Sequence, residues 1–204
     1  MALLPALLGL LAAPFPGTAA LLVVRPGPSI TNSPASIGVR VPPDLQANPT
    51  NRATFTVGGV SYNPPLRYQW FFNGNPILDA TNAAYSFTNV TLAHEGLYSA
   101  QLTDSIGLAN TLPAQLTGLV TPSLTFAPLP QTSPQGALIT VSAACTGNPL
   151  PVAWEWRRIS TPIQITTNND RFSYLSFFNT NPIGTPVLDR VIARNQAGTT
   201  SPRE

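Results

Sequence analysis

The chain has no lysine. All ten basic residues among its 204 are arginines, set against eight acidic residues for a formal charge of +2. Charged residues make up only 9% of the sequence and are scattered, apart from the adjacent Arg157 and Arg158. A phosphate backbone is gripped by a stripe or face of cations, so this scatter argues against a nucleic-acid partner. There is one cysteine, Cys145, and one histidine, His94. A lone thiol forms no internal disulfide, and multi-cysteine or histidine-rich metal sites are excluded with it. Cys145 is expected to be a small buried hydrophobe rather than a reactive group. Glycine-rich phosphate loops, carboxylate pairs in a glycosidase-like context and metal-ligand spacings are absent. No cofactor is expected, and nothing supports an enzyme.

What the chain does have is punctuation. Twenty-three prolines and fourteen glycines interrupt it too often for long helices, and short alternating runs between them indicate an all-β fold. Ala53, Phe55 and Val57 alternate with threonines, Tyr85 with Phe87, and Tyr98, Ala100 and Leu102 with polar residues. A last strand is expected from Leu108 to Leu116. The first twenty residues are uncharged and apolar and close on Gly17, Thr18, Ala19 and Ala20. They resemble a secretory signal without a basic start. The alternatives are a membrane anchor, which Pro5, Pro14 and Pro16 would interrupt, and a fragment of a longer reading frame. Membrane contact is expected only through this segment, if it is not removed.

The chain also repeats itself. Leu66, Arg67, Tyr68, Gln69, Trp70 aligns with Val152, Ala153, Trp154, Glu155, Trp156, each preceded by a proline-rich turn. In each run bulky residues recur at every second position, which puts them on one face of a strand. Further strands of the second copy are expected at Leu138–Cys145, Phe172–Phe178 and Val187–Arg194. The boundary falls near Leu119 to Pro122, where Pro122, Ser123, Leu124 echoes Pro28, Ser29, Ile30. Four segments follow: a signal-like stretch at 1–20, a linker at 21–27, and modules at 28–119 and 120–204. The second module looks incomplete at its C-terminal strand.

Trp70, the Asn73, Gly74 turn, and Gly96, Leu97, Tyr98 together resemble immunoglobulin-like modules of the I-set type. The likeness is to versions lacking the inter-sheet disulfide, as strung along large exported proteins of environmental bacteria. It implies an all-β chain of two tandem immunoglobulin-like β-sandwiches. In the family pattern an Asp precedes that glycine by two residues, where His94 stands here. Family register places Val57 and Ala100 at the two cysteine positions of the first module. Counting fixed intervals from Trp156 and Gly198 places Ala143 and Val191 at those of the second, and Asp189 at the corner tyrosine. The expected structural core is therefore Val57, Trp70, Tyr98, Ala100, Ala143, Trp156 and Val191.

The residues that could carry chemistry have plainer explanations. His94 beside Glu95 lacks a nucleophile at any recognisable spacing and is read as a loop pair. Asn168, Asn169 and Asp170 offer too few carboxylates for calcium and are read as a turn. Arg157 and Arg158 are read as a solubilising pair, and Asn89, Val90, Thr91 is the one acceptable glycosylation sequon. The resemblance implies a secreted or cell-surface segment serving as a spacer, an adhesion piece or a binder of a protein or glycan ligand, or touching only neighbouring domains. The competing expectation is an accessory region of an exported carbohydrate-active enzyme whose catalytic domain lies elsewhere.

Overall fold

A computed structural model of the chain describes residues 23–41, 51–128, 133–151, 153–158, 161–166, 170–180 and 190–200. The strands run β1 (Ser29–Asn32), β2 (Ile37–Arg40), β3 (Arg52–Thr56), β4 (Gly58–Val60), β5 (Arg67–Phe72), β6 (Asn75–Pro76) and β7 (Ala84–Thr88). After a 3-10 turn at Leu92–His94 come β8 (Gly96–Thr103), β9 (Leu108–Asn110), β10 (Ala114–Phe126) and β11 (Leu138–Asn148). The remainder are β12 (Ala153–Arg158), β13 (Thr161–Thr166), β14 (Phe172–Phe178), β15 (Arg190–Asn195) and β16 (Gly198–Thr199). The chain is all-β, and no helix among the described residues is long and apolar enough to cross a membrane.

The residues group into two compact units. One draws on Met1–Ala35, Thr54–Ser86 and Leu97–Gln115, the other on Ser36–Ala53, Phe87–Gly96 and Leu116–Glu204. In the first unit β5 runs antiparallel to β8, with Trp70 opposite Ala100 and Phe72 opposite Tyr98. β5 turns into β6 through Asn73 and Gly74, whose φ angles are +48° and +81°. Both central residues of such a two-residue hairpin need positive φ, and Asn-Gly is the pair that supplies it at least cost. β9 closes on β8, with Leu102 opposite Ala109, and β1 pairs with β4, with Ile30 opposite Gly59.

Gly59 is fixed by space. A Cβ there would run into Cδ2 of Leu102, which has no solvent exposure, and would lie 3.1 Å from the Ser29 carbonyl oxygen. Gly59→Ala is expected to lower stability by about 1 to 3 kcal/mol, read as a shifted denaturant midpoint with an unchanged slope.

In the second unit β11 pairs with β14 in unbroken register from Leu138–Phe178 to Ala144–Phe172. β12 lies between β13 and β15, and β16 adds to β15. Its core gathers Leu124, Ile139, Val141, Ala143, Cys145, Trp154, Trp156, Leu175, Val191 and Ala193.

Three strands differ from expectation. The run Leu108 to Leu116 is broken at Thr111–Pro113, where Pro113 has no N–H for a ladder. β10 then continues through the 119/120 position to Phe126, so Pro122 lies inside a strand. β13 was not anticipated, because a proline at its second position demotes such a run; a register shift between Trp156 and Arg157 accommodates it. The final strand, expected to be incomplete, is the two-residue β16, paired with β15. The signal-like segment at 1–20, Asn168, Asn169 and Asp189 lie outside the described residues.

Candidate functional site

The two aromatic cores can be compared through their hydrogen bonds. In the first, Trp70 is fully buried and its indole N–H donates to the Asn82 carbonyl at 2.9 Å. The next carbonyl, that of Ala83, accepts the Val57 N–H at 2.9 Å. Opposite Trp70, the Ala100 N–H donates to Thr111 Oγ1 at 2.9 Å while the Thr111 N–H returns to the Ala100 carbonyl.

The second core repeats this set. The Trp154 indole N–H donates to the Asp170 carbonyl at 3.1 Å, and the Cys145 N–H donates to the next carbonyl, Arg171, at 3.0 Å. Opposite Trp154, the Ala193 N–H donates to Thr200 Oγ1 at 3.1 Å and the Thr200 N–H returns to Ala193 at 2.9 Å. Trp154 therefore occupies the place of Trp70, Cys145 that of Val57, and Ala193 that of Ala100.

This corrects the expected register of the second module. All seven residues expected in the core are buried, but Ala143, Trp156 and Val191 do not stand at the cysteine and tryptophan positions. They stand one layer away, where the first core has Phe55, Phe72 and Tyr98. The cause is loop length. Val57 and Trp70 are 13 positions apart but Cys145 and Trp154 only 9; Ala100 and Thr111 are 11 apart but Ala193 and Thr200 only 7. Counting from Trp156 rather than Trp154 starts two residues late and then overshoots by the four missing from the connection, while Gly198 stands five residues past Ala193 where Gly107 stands seven past Ala100; both counts land two residues early, which preserves the face of a strand. By the same register the corner tyrosine is matched by Val191, not Asp189.

The neighbouring layer shows how the two cores reach the same filling with different residues. In the first, Tyr98 lies 4.6 Å from Phe55, 5.0 Å from Phe72 and 6.1 Å from Tyr85, measured between ring centroids. Burial, followed by the nearby Tyr85, pushes the Tyr98 hydroxyl up to about 12. In the second, the matching positions are Ala143, Trp156, Val191 and Ser173. One larger ring and three small side chains stand in place of four rings, the small ones making room for the indole, and the Trp156 indole N–H donates to Ser173 Oγ at 3.0 Å. Interiors are filled to near-crystalline density, so a wider ring on β12 requires smaller residues around it.

Cys145 is buried, and desolvation pushes its thiol up to about 11 against a smaller opposing effect of Arg171. The thiolate is the reactive form, so at neutral pH this cysteine is inert.

The polar candidates are tied into backbone. His94 Nδ1 accepts the Thr91 N–H at 2.9 Å and its ring stacks on Phe87 at 4.9 Å. Glu95 Oε1 instead accepts the Gly118 N–H at 2.8 Å and the Asn148 side-chain amide at 2.6 Å. The histidine thus caps a turn and the carboxylate bridges strands; they do not act as a base and its orienter. Asp104 accepts Ser61 Oγ at 2.6 Å and the N–H groups of Ile106 and Gly107, and these bonds, Ser61 first, hold its carboxyl below the usual range. Asp170 Oδ1 accepts the Phe172 N–H at 3.3 Å. Among the described residues no group of three His, Cys, Asp or Glu side chains could hold a metal ion.

One polar cluster was missed from sequence. Glu155, on the face of β12 opposite its tryptophans, is only 5% exposed and accepts Arg157 Nε at 2.6 Å and Arg194 Nη2 at 2.7 Å. The Glu155, Arg157 spacing was visible, but Arg194 arrives from β15 and only the register reveals it. The Arg157 hydrogen bond, with a further contribution from Arg194, lowers the Glu155 carboxyl despite its desolvation. A depressed carboxyl contributes stability above its free value of 4.5 and loses it as pH falls. The melting temperature should therefore drop in acid. Glu155→Gln should be less stable at neutral pH, having lost the ion pairs with Arg157 and Arg194, but should lose less on acidification. Parallel acid slopes for the two proteins would contradict this assignment.

No family model matches the chain. Among solved structures it is similar to Sidekick-1 immunoglobulin domains 1-5, with a TM-score of 0.65 and 17% identity over 87% of this chain and 38% of that one. A Dscam structure gives a TM-score of 0.56 at 14% identity, covering 87% of this chain and 45% of its own. An I-band fragment from titin gives 0.52 at 15% identity, covering 85% and 62%. The chain spans between 38% and 62% of the length of these structures, and at such identities the likeness is one of fold. That fold, repeated twice with the same hydrogen-bond set around Trp70 and Trp154, is the tandem immunoglobulin-like β-sandwich.

Proposed function

We propose that the chain is a non-enzymatic segment of a secreted or cell-surface protein, built from immunoglobulin-like modules at 28–119 and 120–204 and acting as a spacer or adhesion piece. The observation that carries this reading is the engagement of its polar groups. His94, Glu95, Asp104, Asp170 and Glu155 are each occupied in holding strands and turns, which leaves this set to stabilise sandwiches rather than perform chemistry. Residues 1–20 would serve as the export signal.

The second reading, an accessory region of a carbohydrate-active enzyme, is favoured by the exposed Phe172, Tyr174 and Phe178, since aromatic faces are what sugars stack upon. Two measurements test the proposal. Residues 1–27 fused to a reporter active only after export should give signal; an inactive reporter would remove the secreted reading. The full chain on a glycan array should show no saturable ligand; one saturable polysaccharide would replace the spacer reading with the accessory one.

A further inference from the structure

We propose that β14 is a self-pairing edge, through which two copies of this chain join their sheets antiparallel about a two-fold axis. Among the described residues β14 stands at the end of its sheet and pairs only with β11. Edge strands are normally blunted by charge, proline, a bulge or brevity. β14 has none of these: its seven residues, FSYLSFF, carry no charge, proline or glycine, and its register on β11 is unbroken. β11 carries no charge either.

The backbone is set for pairing. The Cys145 N–H bonds the Arg171 carbonyl and the Asn179 N–H bonds the Ala137 carbonyl. In an antiparallel ladder such bonds involve alternate residues, so odd-numbered residues of β14 direct their backbone groups at β11. Tyr174, Ser176 and Phe178 direct theirs to the open edge. The same residues form the outer face, where Phe172 is 50% exposed, Tyr174 64% and Phe178 67%. Leu138, opposite Phe178, and Phe126 extend the patch. With each ring contributing about 150 to 250 Å² when covered, the exposed apolar area is on the order of 500 Å². That lies toward the upper end of what a monomer usually leaves open. Edge pairing extends the sheet, so this face would continue into the partner's as one surface, and the joint would be made by the backbone ladder and the side-by-side contacts of the cross-strand rings.

The fold does not demand this face. The matching strand of the first sandwich, β7, presents Ala84, Ser86 and Thr88 outward. A second copy is the occupant that fits, because β14 is self-complementary about Leu175. Antiparallel pairing centred there sets Phe172 against the partner's Phe178 and Tyr174 against the partner's Ser176, joining the open backbone groups of both strands. Like pairs with like across such an axis, and with no charge on β11 or β14 nothing favours a charged partner. The proposal stands on β14 alone and holds whether or not the chain is exported.

Sedimentation velocity of the full chain over a concentration series tests it. The expected result is a species of twice the chain mass, growing with concentration and no further. Ser176→Pro removes an N–H that serves only the open edge, and Tyr174→Lys places a charge on the face. Both should sediment as monomers with an unchanged circular-dichroism spectrum and a melting temperature that no longer rises with concentration, slightly lowered in Ser176→Pro by loss of its hydrogen bond to Thr140, while Ser86→Pro on β7 should leave the dimer intact. The proposal is overturned by a wild-type monomer throughout the series, by dimers that survive both β14 variants, or by open-ended polymers. A monomer that binds polysaccharide through Tyr174 would equally overturn it and assign the face to a glycan. Should Ser176→Pro fail to fold, Tyr174→Lys decides alone.

Discussion

An Ala193→Cys chain, refolded with an oxidant, is expected to close a disulfide to Cys145 and to stabilise the second sandwich by about 4 kcal/mol, the chain-entropy value for a loop of roughly fifty residues. Cys145 and Ala193 occupy the places of Val57 and Ala100, where immunoglobulin-type sandwiches carry their inter-sheet bridge. Both are buried in one core, and β11 and β15 come within 8 Å of one another, Cα to Cα. The oxidant has to act during refolding. In the native chain Cys145, pushed up to about 11, holds its proton, and a buried thiol neither ionises nor meets a reagent. Oxidised protein should unfold at higher denaturant than its own reduced form, with reduced Ala193→Cys close to wild type. Two free thiols after oxidative refolding would show that the register is not the one drawn from the hydrogen bonds.

That prediction could not have been made from sequence, and the reason is specific. Counting from Trp156 and Gly198 assigns the cysteine positions to Ala143 and Val191 and makes Cys145 irrelevant to the bridge. The count assumes equal loops, and loops are where a sandwich tolerates shortening. A two-residue slip keeps every side chain on its own face, so alternation, which was legible, gives no warning of it. The all-β class, the repeat and the burial of Trp70, Tyr98 and Ala100 were legible because each rests on local periodicity or turn chemistry, as at Asn73 and Gly74. The Glu155 cluster and the open edge at β14 were not. Both depend on which strand lies beside which, and neither the approach of Arg194 nor the place of β14 at the end of its sheet among the described residues leaves a mark in its own segment.

Trp154→Ala is expected to cost the second sandwich about 3 to 5 kcal/mol, enough to unfold it if its stability lies at or below the low end of the ordinary range of about 5 to 15 kcal/mol. The loss has two parts, a cavity the size of an indole and the stranded Asp170 carbonyl, which no longer receives its N–H. Trp70→Ala should do the same to the first sandwich, through Asn82. Trp156→Ala leaves a hole of the same size, but in the layer that the first core fills with four moderate side chains. It is therefore open to a repair that Trp154 is not. Trp156→Phe with Ser173→Tyr restores two residues of that layer to their identities in the first sandwich, Phe72 and Tyr85, and should recover half or more of the stability lost in Trp156→Ala. Adding Ser173→Tyr to Trp154→Ala should recover nothing, because the tyrosine enters the wrong layer and meets an intact Trp156. Denaturant midpoints of the four proteins decide between a shared pocket and two layers: equal rescue of both tryptophan losses would merge the layers and undo the match of Trp154 with Trp70.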